Sequence, residues 1–373
     1  MAETYKIFTL NIGSTSTKVA IFENTTKVYE KNVQHDPKKL KECGSVIGQK
    51  AYRLEGIMNA LAADGQSLED VDAVSARCGG TGPIIGGTYG VNQTLLDRLT
   101  DTSLHHHNAD LGGIVAAELA EKYQAKAFFV DSPETDELQP VARITGMKGV
   151  YKVCSTHTLN QKAVCRFYAS DIKKQYSELN LIVAHIGGGV SVSAHRKGMI
   201  VESTNLIKGD GPMAPTRCGE MQAMTISDMA FSGKYERKEL EDRINMTGGL
   251  MDHLGTADVL EIKKRIENKD KYAELIYNAF IYQIGKYIGM MGAVLEGKVD
   301  AILLTGGISR DSYLVKKIET MCGYLAPVVA IAGEFEMEAL AAGAYRVLSG
   351  QEEAKEYTGQ FVFNGIEELL KTL

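Results

Sequence analysis

Two ten-residue stretches constrain this chain more than any other feature. NIGSTSTKVA begins at Asn11 and HIGGGVSVSA begins at His185. Aligned, they pair Ile12 with Ile186, Gly13 with Gly187 and Ala20 with Ala194. In each, an apolar run precedes a turn of small residues, and alternation of period two resumes beyond it, which predicts a β-hairpin. Their separation is near half of the 373 residues. That recurrence predicts two similar domains, in keeping with the length.

Around the hairpins, strands alternate with helices. Strands are expected at residues 5–12, 72–76, 125–130, 181–186 and 301–305, and helices at 51–62, 108–123, 271–297 and 339–348. Thr256 is the expected N-cap of the stretch ADVLEIKKRIEN. This alternation predicts an α/β architecture. Residues 276–295 carry a single charge, Lys286, but also Asn278, Gln283 and three glycines. Their apolar side chains follow helical spacing, which predicts a buried helix of a water-soluble domain and no membrane span. The N-terminus lacks the cationic-then-apolar order of a signal peptide.

The formal charge of −6 and pI of about 5.8 give no basic footprint for nucleic acid. Six cysteines form no CxxC pair and no zinc-finger spacing with His, so thiols in a reducing cytoplasm are expected. Three consecutive His, 105–107, cannot all face one ion, which leaves at most one of them for a ligand.

Three turns follow apolar strands: residues 13–18 (GSTSTK), 187–189 (GGG) and 306–309 (GGIS). The first lacks the second Gly of a Walker A loop and leads into a strand, so that reading fails. Backbone N–H groups, the hydroxyls of Ser14 and Ser16, and the charge of Lys18 still make a hairpin turn suited to phosphate. Glycines 187–189 let a ligand approach the backbone. Gly306 and Gly307 end a strand where open α/β sheets bind ligands.

This arrangement resembles the actin–hexokinase–heat-shock ATPase superfamily and, within it, the acetate and butyrate kinase (acetokinase) family, most of all its butyrate kinases. The residues that carry it are NIGSTSTK at 11–18, HTLNQKAV at 157–164, VAHIGGGVSVSAHRKG at 183–198, GDGPMAPTRCG at 209–219 and LTGGIS at 304–309. The resemblance implies two similar ribonuclease-H-like α/β domains (an actin-like ATPase fold) flanking a nucleotide cleft. It sets the expected domains at 1–152 and 153–336, the second binding nucleotide, with a C-terminal helix at about 337–373 packing back on the first.

The implied activity is reversible ATP-dependent phosphorylation of a short-chain carboxylate, butyrate or a branched acid, to an acyl phosphate. Such an acceptor is already ionised at neutral pH and needs no general base, but two anions must be brought together by cations. Arg77 and Arg217 lie in glycine- or proline-flanked segments, RCGG and PTRCG. Their planar forks suit carboxylate and phosphate oxygens. By resemblance, Arg77 holds the substrate carboxylate, Arg217 the transferring phosphoryl group, and His157 stabilises the transition state. Asn11, Lys18 and His185 lie on the phosphate side, Asp131 is catalytic and near Mg2+, and His107 lies on the substrate side. Glu336 is the metal-linked glutamate, with Glu334 and Glu338 as competitors. The implied cofactors are Mg2+ and ATP/ADP, and the expected assembly is a cytoplasmic homo-oligomer, a dimer or larger.

The chain departs from the family pattern at Ile12, where Pro is usual, at Thr156, and around Arg217, where PTRCGEMQ replaces PERSGTLP. Rival readings are a non-catalytic ATP-binding member of the superfamily and a sugar or polyol kinase.

Overall fold

The computed structural model describes residues 3–372. These divide into two compact units. One joins the chain up to Asp136 to the segment from Phe335 on; the other is Glu137–Glu334.

The first unit holds a six-stranded sheet: β1 (Lys6–Ile12), β2 (Ser16–Glu23), β3 (Thr26–Gln34), β4 (Ala73–Ala76), β5 (Thr88–Gly90) and β6 (Lys126–Val130), in the order β3-β2-β1-β4-β6-β5. β1 to β3 form an antiparallel meander, β4 and β6 run parallel to β1, and β5 closes the edge antiparallel. Residues Ile7–Leu10 are buried without interruption because helices cover β1. Phe8, Leu10 and Ile12 join Leu111, Val115 and Leu119 of the helix Leu111–Tyr123 in one core. The helix Glu336–Leu348 also packs on β1, β4 and β6, and its Leu340 carbonyl accepts from Ser75 Oγ. That packing brings the start of this helix to the end of β1. The C-terminal stretch holds two helices, Glu336–Leu348 and Ile366–Thr372, and the segment joining them buries Tyr357, which packs on Phe129 and donates to the Thr81 carbonyl at 2.7 Å.

The second unit holds β7 (Asn180–Ile186), β8 (Val190–Arg196), β9 (Met199–Ser203), β10 (Ala301–Thr305) and β11 (Val328–Ala330), in the order β11-β10-β7-β8-β9. Again the first three strands form an antiparallel meander, and β10 and β11 continue the sheet in parallel. The recurrence at residues 11 and 185 therefore belongs to a shared strand order and strand sense. The two units are α/β domains with mixed sheets of one pattern.

Asp270 caps the helix Lys271–Val294 by accepting from the N–H groups of Tyr272 and Ala273. Ala273, Ile276, Phe280, Ile284, Ile288 and Met291 fall on its core face. Each of the Ile, Phe and Met side chains contributes about 1.5–3 kcal/mol on burial. Among the described residues no helix is long and apolar enough to cross a membrane.

The expected cap at Thr256 is displaced by two residues. The helix begins at Val259, and Asp258 caps it by accepting from Leu260 N–H, while Thr256 Oγ1 accepts from Asp258 N–H. A carboxylate is a strong cap, and the hydroxyl two residues earlier serves only the turn before it. No disulfide joins any of the six cysteines.

Candidate active site

In the first unit, three residues separate β1 from β2. Gly13 N–H donates to Ser16 O at 2.9 Å, closing the turn. Ser14 and Thr15 are exposed. Lys18 lies opposite Asn11 in the β1–β2 register. Asn11 Nδ2 donates to Glu336 Oε2, which the first turn of the helix Glu336–Leu348 presents to it. The three candidate glutamates thereby separate. Glu338 pairs with Lys27 at 3.0 Å on the surface, and Glu334 lines a cavity of the second unit.

Asp131 follows β6 in a left-handed conformation, φ 41°, and is almost fully buried. Its Oδ1 accepts from Gly87 N–H at 2.8 Å. Arg77 follows β4 and is partly buried; its guanidinium makes no hydrogen bond or ion pair with any described residue. The Arg77 charge reaches His107 and, with loss of water as the larger cause, holds its pKa below the ordinary imidazole value. His107 Nδ1 accepts from Ala109 N–H at 3.2 Å, so the neutral ring carries its proton on Nε2. Of the other two histidines in the run, His106 bonds Asp110 and Asp101 O. Among the described residues no group of three or more His, Cys, Asp or Glu side chains is arranged to hold a metal.

The second unit repeats the turn. Gly187 N–H donates to Gly189 O at 3.0 Å between β7 and β8. Arg217 approaches this turn so closely that a Cβ on Gly189 would overlap Nη1, and the same Cβ would meet His157 Cε1 at 3.4 Å. The His157 and His185 rings stack, with centroids 3.8 Å apart. His157 Nδ1 bonds Ser191 Oγ at 2.8 Å. The amide nitrogen of Asn160 donates to His185 Nδ1 at 2.8 Å and to Thr305 Oγ1 at 3.1 Å. The His185 proton is therefore on Nε2, the atom nearest Gly187. Burial lowers the His185 pKa to about 4, so the ring is a neutral donor at physiological pH.

Gly306 packs its backbone against Ile186 at φ 87°, where a Cβ would collide with the Ile186 carbonyl. It exchanges backbone hydrogen bonds with Gly333 at 2.9 and 3.2 Å. The glycines at 187–189 and 306–307 are thus brought together. Gly187, Gly188 and Gly307 line one cavity of about 510 Å³ with Val259, Leu260, Ile308, Lys263, Arg310 and Asp311. Lys263 pairs with Asp311 at 2.5 Å, and Asp311 also accepts from Tyr277 Oη at 2.6 Å. No local sequence pattern marks Val259, Leu260, Lys263, Arg310 and Asp311 as cavity residues. The signal available was the apolar pair Val259–Leu260 at a helix start, which resembles any core contact.

A cavity of this size, lined by glycine backbone and by aliphatic side chains, fits a nucleotide. The acetokinase family profile matches residues 6–328. Several solved structures are similar in fold. Acetate kinase of Porphyromonas gingivalis is 18% identical, with a TM-score of 0.75 over 92% of this chain and 99% of that one. Propionate kinase of Francisella tularensis subsp. tularensis SCHU S4 is 18% identical, with a TM-score of 0.70 over 91% and 98%. Acetate kinase of Entamoeba histolytica is 17% identical, with a TM-score of 0.72 over 91% and 98%. With the profile spanning both hairpins and both arginine segments, the chain belongs to the acetokinase family.

Proposed function

We propose that this protein phosphorylates a short-chain carboxylate, butyrate or a short branched acid, with ATP, giving an acyl phosphate and ADP. The observation that carries the reading is Arg217. Its guanidinium lies against the glycine turn, beside the stacked histidines, without a carboxylate partner among the described residues. A partly buried cation in that position suits an anion that passes over the turn.

In the proposed reaction a carboxylate oxygen attacks the γ-phosphorus, and the bond from that phosphorus to the β–γ bridging oxygen breaks. No proton is transferred, so no general base is required. Arg77 holds the acceptor carboxylate, with the Nε2–H of neutral His107 as a second donor. Arg217 spreads the charge of the phosphoryl group in flight, and His157 and the Nε2–H of His185 donate to its oxygens. The backbone N–H groups of Ser14 and Thr15 and of Gly188 and Gly189 hold the remaining phosphates, with the Ser14 and Ser16 hydroxyls and Lys18. The cavity beside Gly307 takes the nucleoside.

The residues present fit Mg2+ carried by the nucleotide. Magnesium takes one or two protein carboxylates and fills its shell with water and phosphate oxygens. Asp131 and Glu336 would hold it. When bound, the ion neutralises charge on the β- and γ-phosphates. The choice of butyrate over acetate rests on the resemblance to butyrate kinases that the motifs at 11–18, 157–164, 183–198, 209–219 and 304–309 carry together.

A hydroxamate assay for acyl phosphate, run with ATP across straight and branched C2 to C6 acids, tests the reading. Product is expected to peak at four or five carbons. Turnover of glycerol or glucose with no acyl phosphate from any acid would overturn it.

A further inference from the structure

The helix Lys50–Ala63 carries a charged side chain for which the proposed chemistry has no use. Arg53 is 0% exposed, the largest of the fully buried side chains. Its Nε donates to Gln49 Oε1 at 2.9 Å, and its Nη2 donates to Ser14 O at 2.7 Å. Nη1 stands 3.4 Å from both Ser16 O and Thr17 Oγ1. Every one of these acceptors is neutral. His35, whose Nε2 lies 2.8 Å from Thr17 Oγ1, adds no negative charge. Burial lowers the Arg53 pKa, and the groups that oppose this are the thiol of Cys43 and the phenol of Tyr52, not a carboxylate. A buried ion with no counter-ion is costly, and natural proteins retain such ions where something compensates them.

The turn beside Arg53 supplies a second, independent observation. All three carbonyls of residues 14–16 are engaged from the protein side. Arg53 takes Ser14 O and Ser16 O, His35 N–H takes Thr15 O at 2.9 Å, and Gly13 N–H also takes Ser16 O. The N–H groups of exposed Ser14 and Thr15 donate to no described acceptor. Carbonyls drawn in with N–H groups left over make a concavity for an anion.

We propose that Arg53 is a positioning residue for the phosphate end of the nucleotide. It holds the Ser14 and Ser16 carbonyls inward, leaves the Ser14 and Thr15 N–H groups to a phosphate, and gains in that phosphate the counter-ion its own charge lacks. The proposal rests on the reading above only in taking the anion to be a nucleotide phosphate.

The test is calorimetric titration of the full chain and of Arg53→Lys and Arg53→Gln with inorganic tripolyphosphate and with Mg-ATP, each variant checked for folding by circular dichroism. Arg53→Gln is expected to weaken both ligands about tenfold or more, the scale of one charge-assisted interaction. Arg53→Lys should keep a measurable part of that affinity. The KM for butyrate should stay within about twofold of wild type, since the acid is bound elsewhere. Two folded variants that melt lower yet bind tripolyphosphate as tightly as wild type would show a purely structural role and overturn the proposal. Equal losses in Lys and Gln would overturn its counter-ion element. Arg53-dependent tripolyphosphate binding in a protein that makes no acyl phosphate would support this inference while rejecting the proposed reaction. A wild-type chain that binds neither tripolyphosphate nor ATP would reject the inference itself.

Discussion

Arg217 makes no hydrogen bond or ion pair with any described residue, and burial holds its pKa below the ordinary arginine value. Such a cation has lost water without gaining a partner, so an arriving anion meets it at little further desolvation cost. If that anion is the transferring phosphoryl group, Arg217→Ala lowers kcat by about 10²-fold or more, the worth of one charge-stabilising donor. Arg217→Lys restores little, because a point charge cannot reproduce the fork. Near-normal kcat in a folded Ala variant would reject the role. Arg77 is equally unpartnered but sits beside His107 in the first unit. Arg77→Ala is expected to raise the KM for butyrate well above any change in the KM for ATP. Steady-state kinetics with each substrate varied in turn decides it: weakened ATP with unchanged butyrate sinks the assignment. Both arginines were legible in the sequence because glycine- and proline-rich surroundings gave them no helical face to belong to. Arg53 was not, since at one position of a helix an arginine looks like a solvated side chain until tertiary packing buries it.

At the scale of elements, the glycine turns were legible for a physical reason. A strand that ends in consecutive glycines has given up side chains that would pack, and close backbone approach is what it gains. Gly189 illustrates this, because its missing Cβ is the space that the Arg217 guanidinium fills. Gly189→Ala is therefore expected to push the guanidinium off the turn and cut kcat nearly as far as Arg217→Ala does. The double variant should be little worse than either single one, since both remove the same interaction. Fully multiplicative losses would show that the two residues act separately. The strands and long helices could be read from periodicity, whereas the cavity wall formed by Val259, Leu260 and Lys263 could not. Those residues reach the glycines only through the packing of their helix on the long helix Lys271–Val294, a contact that no local pattern encodes. The two-residue displacement of the cap from Thr256 to Asp258 has the same origin at shorter range, in competition between two good capping side chains.

At the scale of the whole molecule, two buried imidazoles stand far from their ordinary pKa: His35 in the first unit and His185 in the second. Burial brings both pKa values to about 4, and the Arg53 charge adds to the effect at His35. In the unfolded chain each titrates near 6.5, so between about 4 and 6.5 the unfolded state binds more protons than the folded one. Stability therefore rises with pH across that window and is lost as pH falls from 6.5 towards 4. At pH 5 each histidine costs on the order of 2 kcal/mol relative to neutral pH. The stabilisation from Asp64 and Asp70, whose lysine partners hold their pKa values below the usual carboxylate range, is lost at more acid pH, and His107, whose pKa loss of water also lowers, adds to the histidine response in the same direction. Thermal melts at pH 7 and pH 5 should show a lower melting temperature at pH 5. His35→Gln and His185→Gln should each shrink that difference. The two reductions should add, because the residues belong to separate units and share no hydrogen-bond partner. The comparison is made between pH values within each variant, so any destabilisation from the substitution itself cancels. A double variant that loses as much stability from pH 7 to pH 5 as wild type would show that other groups drive the acid response, and that the two imidazoles are not held neutral by the fold.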